Sequence, residues 1–317
     1  MDNSWITVYA PASIGNFGPG FDVLGAAIQA LGDRVEVRAT NDNQVKIVEI
    51  TGEGAETLPQ EAERNTASRA ALLVLEALKT HTISVGGLEM KIHKGIPAGS
   101  GLGSSAASAV AGGYAANVAY GSPLPLRDIL LPITQAESEA SGGFFADNTA
   151  SSLYGGAIIC KSSHPLDIIS LGGFPGLVVI AVTPKIRLRT EEMRAVLPKQ
   201  VSLQDSIANM ARSTTVVAAL LMKNPSLLAG AFEDRLAEPV RAPFIPGFFD
   251  LRRAALEAGA LGCAISGAGP TVFALTDRQD RARSIGEAMQ AAFENVQLSS
   301  RLLITGIDEQ GARQIST

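Results

Sequence analysis

Short β-branched and apolar runs alternate with stretches of helical periodicity through the first half of the 317-residue chain. The runs predict strands at residues 5–10, 33–39, 44–50 and 88–94, with a long helix after Gly103. A capping Asn65 or Thr66 ahead of an apolar-periodic segment predicts a helix ending near Lys79. Leu and Ile at helical spacing predict another over 125–139. Strands outnumber helices early, an order that fits an α+β layer better than an alternating parallel sheet.

The pattern restarts after a polar stretch at 162–166 that contains Pro165, and 177–183 then reads as a buried strand. The predicted division is therefore an N-terminal lobe, 1–163, and a C-terminal lobe, 164–317. The second lobe has a long helical pattern at 202–222 and another at 249–258 that stops at Gly259. Strands follow at 261–266 and 271–276, joined by Gly267-Ala268-Gly269-Pro270, and a last one at 301–305. No internal repeat is visible.

Composition narrows the class. The length suits about two domains, and 46% hydrophobic with 18% charged residues describes a globular chain. The formal charge is −5 without any sizeable Lys/Arg block, which argues against nucleic acid or an anionic membrane as partner. Cys160 and Cys263 each lie in an apolar run, as buried thiols do, and no disulfide framework is expected. Without a basic leader or a spanning segment at the start, the expected setting is cytoplasmic. His81, His93 and His164 lack partners at metal-ligand spacing.

The chemistry concentrates where glycines cluster. Lys94-Gly95-Ile96 leads from a strand into Pro97-Ala98-Gly99-Ser100-Gly101-Leu102-Gly103-Ser104-Ser105-Ala106-Ala107, which opens a helix of Ala, Gly and Val. Glycine allows positive φ and close approach of the backbone to a ligand. Successive N–H groups with the positive end of the helix cradle phosphate oxygens, and Ser104 and Ser105 can bind phosphate or a metal ion. A Walker loop needs Lys after its last Gly, and a dinucleotide fingerprint needs a further Gly and a distant acid; neither is present. Lys94 is either a phosphate contact or an exposed strand end, and Arg187 and Arg189 read as a solvent-facing edge.

The 97–107 segment resembles the signature of the GHMP kinase superfamily. Pro11-Ala12-Ser13-Ile14-Gly15-Asn16-Phe17-Gly18-Pro19-Gly20-Phe21-Asp22-Val23-Leu24-Gly25 and Ser266-Gly267-Ala268-Gly269-Pro270-Thr271 carry the resemblance to both ends of the chain. It implies a two-lobed α+β fold, an N-terminal lobe like domain 2 of ribosomal protein S5 and a ferredoxin-like C-terminal lobe, with the site in the cleft. It also implies ATP and Mg²⁺, the metal held by Ser105, with Ser104 as a further donor, and Glu137. Asn65, with Thr66 and Ala67, is expected to line the adenine pocket. Glu139 is expected on a solvated helix face.

Asp147-Asn148, Leu153-Tyr154-Gly155-Gly156, the 190–198 segment and Glu238-Pro239-Val240-Arg241 resemble the branch that phosphorylates the hydroxyl of L-homoserine, a step of threonine biosynthesis. On that resemblance Arg194 and Arg241 bind the substrate carboxylate, aided by Thr190. Asn16, Asp22 and Asp147 accept from its ammonium, and Asn148 orients its hydroxyl. Gly267 and Gly269 close over the substrate, and a homodimer is also implied. Phe145 stands where the family usually carries His. Two alternatives remain at this point: a kinase for another hydroxy acid of the mevalonate or shikimate type, and a catalytically silent metabolite sensor.

Overall fold

Each lobe is built on its own sheet in the computed structural model, which describes residues 4–316. The N-terminal half contains β1 (Ile6–Gly15), β2 (Leu24–Thr40), β3 (Val45–Gly52), α1 (Thr66–Thr80), β4 (Gly87–Lys94), α2 (Ser104–Ala119), α3 (Leu126–Ser141), α4 (Asp147–Tyr154), β5 (Ala157–Ser163) and β6 (Leu166–Gly172). Then come β7 (Val178–Pro184), α5 (Thr190–Ala195), α6 (Leu203–Met222), α7 (Glu238–Arg241), α8 (Phe248–Glu257), β8 (Gly262–Ile265), β9 (Val272–Thr276), α9 (Ala282–Glu294), β10 (Ser300–Gly306) and β11 (Arg313–Ile315). The first sheet has the order β11-β1-β2-β4-β3, with β5 also on β2 and β6 on β5; the second is β10-β7-β9-β8. All pairs are antiparallel except β3 with β4.

The α+β reading holds, with three differences in extent. β1 runs five residues beyond the predicted strand, because Pro11 sits where the register with β2 shifts and no ladder N–H is required of it. β2 begins at Leu24, since the Ala- and Gly-rich half before Gly32 is held by β1 and β5 rather than by strand propensity. The polar stretch at 162–166 is the turn of the β5–β6 hairpin, so the first sheet crosses the expected boundary at 163. The chain also returns at β11 to pair with β1.

Helix α2 occupies the middle of the first lobe and is buried on nearly every side. Its small residues permit this: a Cβ on Gly112 would stand 2.0 Å from the Ala67 carbonyl oxygen of α1. A second core, including Ile180, Phe248, Leu251, Ile285 and Phe293, lies under the second sheet. Phe17, Phe232 and Phe273 join the lobes, with ring centres 5.6 to 5.9 Å apart beneath the loop that follows β1. Cys160 and Cys263 are free, and burial raises both thiol pKa values. Among the described residues no helix is long and apolar enough to cross a membrane.

Candidate active site

The phosphate loop, the loop after β1, the start of α4 and the β8–β9 turn converge on a cleft of about 150 Å³. Gly99, Gly101 and Gly103 take φ of 70°, 82° and 67°, which turns the loop into α2. No side chain caps α2, so the N–H groups of its first turn are left for an anion. The loop is anchored on both lobes: Ser13 N–H donates to Leu102 O at 3.1 Å, Thr271 N–H to Ser100 O at 3.1 Å, and Ser266 Oγ to Gly101 O at 2.7 Å.

The predicted loop residues divide by role. Gly99, Ser100, Gly101, Gly103, Ser104, Ser105 and Ala106 border the cleft. Leu102 and Ala107 are buried in the core. Pro97 and Ala98 face a separate cavity of about 760 Å³ shared with Lys185 and Arg187. Ser104 Oγ donates to Ile96 O at 2.9 Å, whereas Ser105 Oγ has only a long contact to Thr66 Oγ1 at 3.4 Å. Ser105 is thus the freer hydroxyl. Asn65 is buried as the N-cap of α1, accepting from Ala67 N–H at 3.1 Å and donating to Pro59 O at 3.0 Å. It does not border the cleft.

Lys94 is neither a phosphate contact nor an exposed strand end. It is buried in an ion pair with Asp33 and donates to Ser108 Oγ at 2.6 Å and Ser104 O at 3.1 Å. Asp33 also accepts from Gly95 and Ile96 N–H at 3.0 and 3.2 Å. The lysine charge therefore braces the loop from behind. Arg187 is exposed as expected, but its Nε reaches Ala98 O at 3.3 Å. Glu139 forms a two-point ion pair with Arg69, at 2.8 and 3.0 Å, on the expected exposed face.

Asn16 works as a junction. At φ 65° its N–H donates to Asp147 Oδ2 at 3.0 Å, its Oδ1 accepts from Asp22 N–H at 3.1 Å, and its Nδ2 donates to Gly267 O at 3.0 Å. Both ends of the amide thus hold the site together, and the residue still borders the cleft. Asn148 Oδ1 accepts from Ser13 Oγ at 3.0 Å, and the residue still borders the cleft. Gly267 and Ala268 border it too, whereas Gly269 is packed against Ile245, Ile265 and Leu188. Gly269 is therefore a structural glycine.

Asp22 and Arg194, expected on the substrate's ammonium and carboxylate, bond to each other at 2.7 and 3.1 Å. Arg194 Cζ lies 3.2 Å from the centre of the Phe145 ring, and its Nε is buried without a hydrogen-bond partner. Arg241 donates to the Met193 and Gly267 carbonyls at 3.1 and 3.0 Å, and no described carboxylate forms an ion pair with it. Its pKa falls to about 10 through burial and the neighbouring Arg194 charge, so it stays cationic at neutral pH. Thr190 opens α5, the short helix carrying Arg194, and borders the cleft.

Two further carboxylates complete the charge pattern. Asp147 is pushed up to about 6, first by burial and then by Asp22. Glu137 is pushed up to about 7 by burial, offset in part by the Ser141 hydroxyl at 3.0 Å. Ser13, Phe21, Ser141 and Ala268 were not anticipated. Ser141 is one helical turn after Glu137, a spacing that places it on the same face. Phe21 stacks on Arg241 with Cζ 5.1 Å from its ring centre, and its position beside Asp22 was the available signal.

A glycine-lined phosphate loop between two α+β lobes, facing an acid-and-arginine pocket, defines a small-molecule kinase. Residues 65–156 match the GHMP kinases N terminal domain and residues 217–295 match GHMP kinases C terminal. The chain belongs to the GHMP kinases. It is 40% identical to the homoserine kinase of Chloroherpeton thalassium, covering 97% of this chain and 98% of that protein. It is 39% identical to the homoserine kinase of Arabidopsis thaliana over 98% of this chain and 85% of that one. The crystal structure of homoserine kinase from Cytophaga hutchinsonii superposes with a TM-score of 0.92 at 40% identity, covering 99% and 98% of the two chains. Within the family, the similarity is thus to the homoserine kinase branch. Lactococcus lactis galactokinase, at 18% identity and a TM-score of 0.72, shares the fold.

Proposed function

We propose that this protein transfers the γ-phosphoryl group of ATP to the side-chain hydroxyl of L-homoserine, giving ADP and O-phospho-L-homoserine. The Asp22–Arg194 pair is the observation that carries the substrate. An α-amino acid presents a carboxylate and an ammonium side by side, and this pair is the matching arrangement of opposite charges. Arg241 adds a second cation without a carboxylate of its own. Mevalonate or shikimate brings only the carboxylate, so drawing Arg194 away would leave Asp22 uncompensated.

In the reaction the homoserine oxygen bonds to the γ-phosphorus as the bond to the β–γ bridging oxygen breaks, and the hydroxyl proton passes late to a phosphoryl oxygen. Asn148 orients the hydroxyl, and its amide is no base. A loose transition state needs little early proton removal and gains mainly from positioning and charge neutralisation. The first-turn N–H groups of α2 hold the phosphates.

Glu137 and Ser105 fit a magnesium ion. Both are oxygen donors on the cleft, and Glu137 is a carboxylate raised by burial that has a hydroxyl but no described cation as partner. So small a protein donor set matches a cation held largely by water and nucleotide oxygens. Bound there, magnesium supplies neutralisation of the β- and γ-phosphates. The same reading puts the enzyme in threonine biosynthesis in the cytoplasm.

ADP release with Mg-ATP, measured across L-homoserine, L-serine, mevalonate and shikimate, tests this reading. Turnover should be fastest with L-homoserine. Preference for mevalonate or shikimate would overturn the substrate, and silence with all four would leave the metabolite-sensor reading in its place.

A further inference from the structure

Ser13 follows the point where the β1–β2 ladder slips: Pro11 pairs with Gly32, but Ser13 pairs with Ala27. Irregularities of this kind re-aim a side chain. The Ser13 side chain is fully buried, and its hydroxyl donates to Asn148 Oδ1 at 3.0 Å across 135 residues of chain. The same hydroxyl lies against the phosphate loop. A Cβ on Gly103 would stand 2.2 Å from Ser13 Oγ and 3.1 Å from Asn148 Oδ1. Ser13 N–H is bonded to Leu102 O as well. One buried serine therefore touches both the glycine-lined loop and the amide that faces it.

We infer that Ser13 is a positioning residue that fixes which end of the Asn148 amide meets the reacting hydroxyl. This rests on the placement of Asn148 beside that hydroxyl under the proposed function. An amide has an acceptor end and a donor end of nearly equal size, and a half-turn about its last bond exchanges them. Ser13 engages Oδ1, and Nδ2, which has no hydrogen-bond partner among the described residues, is the end left for the cleft. Its N–H groups meet the homoserine oxygen and the phosphoryl oxygens, where negative charge gathers during transfer. The reversed amide would set Oδ1 against those oxygens, a repulsive contact. Asn148 accordingly takes no proton from the hydroxyl, which still loses it to a phosphoryl oxygen.

The position of α4 does not depend on this bond. Asp147 Oδ2 accepts from Asn16 N–H at 3.0 Å, and Ser152 Oγ donates to Pro11 O at 2.7 Å, so both ends of the helix are held to β1 and its loop. Thr149 Oγ1 is bonded to Thr134 Oγ1 of α3 at 2.9 Å. The hydrogen bond from Ser13 reaches α4 at the side-chain amide alone. Loss of the hydroxyl therefore frees the amide to turn while the backbone of Asn148 stays in place. Alanine also fits the space that serine fills, and the bond from residue 13 N–H to Leu102 O survives.

Steady-state kinetics on single and double variants with Mg-ATP and L-homoserine test it. Ser13→Ala should lower kcat about tenfold or more, with both KM values within about threefold of the parent. In an Asn148→Ala background the same change should alter kcat by less than about twofold, because the group that Ser13 positions is gone. Parent kcat in Ser13→Ala, or a loss that multiplies with that of Asn148→Ala, overturns the inference. Asn148→Asp leaves Ser13 in place and keeps an oxygen for its hydroxyl, but offers the substrate no N–H. Removing a positioned donor costs roughly a hundredfold or more in kcat, and Asn148→Asp should show that loss. Near-parent turnover in Asn148→Asp overturns the inference, whether or not Ser13→Ala folds. Parent turnover of L-homoserine is measured first: its absence defeats the substrate reading and this inference with it, whereas the variant results bear on Ser13 and Asn148 alone.

Discussion

The guanidinium of Arg194 lies over the Phe145 ring, with Cζ 3.2 Å from its centre, while two of its nitrogens hold Asp22. The aromatic ring therefore holds the cation through its face, without a hydrogen bond. Stacking of this kind contributes about 0.5–2 kcal/mol. Phe145→Ala should raise KM for homoserine about tenfold and leave KM for ATP within twofold. Phe145→His, which keeps a flat ring, should stay within about tenfold of the parent kcat/KM. Steady-state kinetics on both substrates check this, and equal changes in both KM values would refute a role confined to the amino acid.

Arg241 lacks a carboxylate partner, so its charge is available to the substrate. A charge-assisted hydrogen bond contributes about 1.5–3 kcal/mol. Arg241→Ala should therefore raise KM for homoserine by roughly ten- to a hundredfold, with little change in KM for ATP. Arg241→Lys should recover only part, since Lys cannot bond to the Met193 and Gly267 carbonyls with the same fork. An alanine variant with parent kinetics would remove Arg241 from the site.

Burial raises Glu137 from 4.5 to about 7. The folded state thus holds a proton that the unfolded chain has lost across that interval, so this group favours folding below about pH 4.5 and opposes it increasingly as pH rises to 7. Glu137→Gln should match the ligand-free parent in Tm at pH 5 and exceed it at pH 8. The variant should also lose most activity and most of the Tm gain that Mg-ATP gives the parent. A glutamine variant less stable than the parent at pH 8 would contradict the sign.

Lys94 and Asp33 form a buried pair behind the phosphate loop. Removing one partner of such a pair typically destabilises by about 3–5 kcal/mol. Lys94→Met should therefore lower Tm by several degrees, while KM for ATP in the folded variant stays within a few fold. Loss of ATP binding at unchanged Tm would return Lys94 to the phosphates.

What the sequence made legible was local. The phosphate loop is a backbone motif whose glycines and serines are contiguous, and its strand, turn and helix follow from them. Arg194, Asp22 and Asp147 could be picked out one by one. That Arg194 meets Asp22 across 172 residues of chain, or Lys94 meets Asp33 across 61, depends on tertiary pairing that no local pattern encodes. The β5–β6 turn misled because Pro165 in a polar stretch reads alike in a linker and in a hairpin. β11 is three residues long and owes its existence to β1.

Gly101 and Gly99 separate two reasons for glycine in one loop. Both take positive φ, 82° and 70°, so either alanine substitution strains the backbone by about 1 kcal/mol. At Gly99 a new methyl group would find its nearest atom 3.7 Å away. At Gly101 it would stand 2.6 Å from Gly269 O and 2.7 Å from Ser266 O, backbone atoms of the other lobe that cannot swing aside. The loop would have to leave the β8–β9 turn, breaking the Thr271–Ser100 and Ser266–Gly101 bonds and moving the N–H groups at the start of α2 that are proposed to hold the phosphates. Displacement of a positioned group by about 1 Å can lower a rate a hundredfold. Gly101→Ala should accordingly lose at least that factor in kcat/KM for ATP, and Gly99→Ala less than tenfold. Equal losses in the two variants would mean that backbone conformation alone, and not contact between the lobes, requires glycine here.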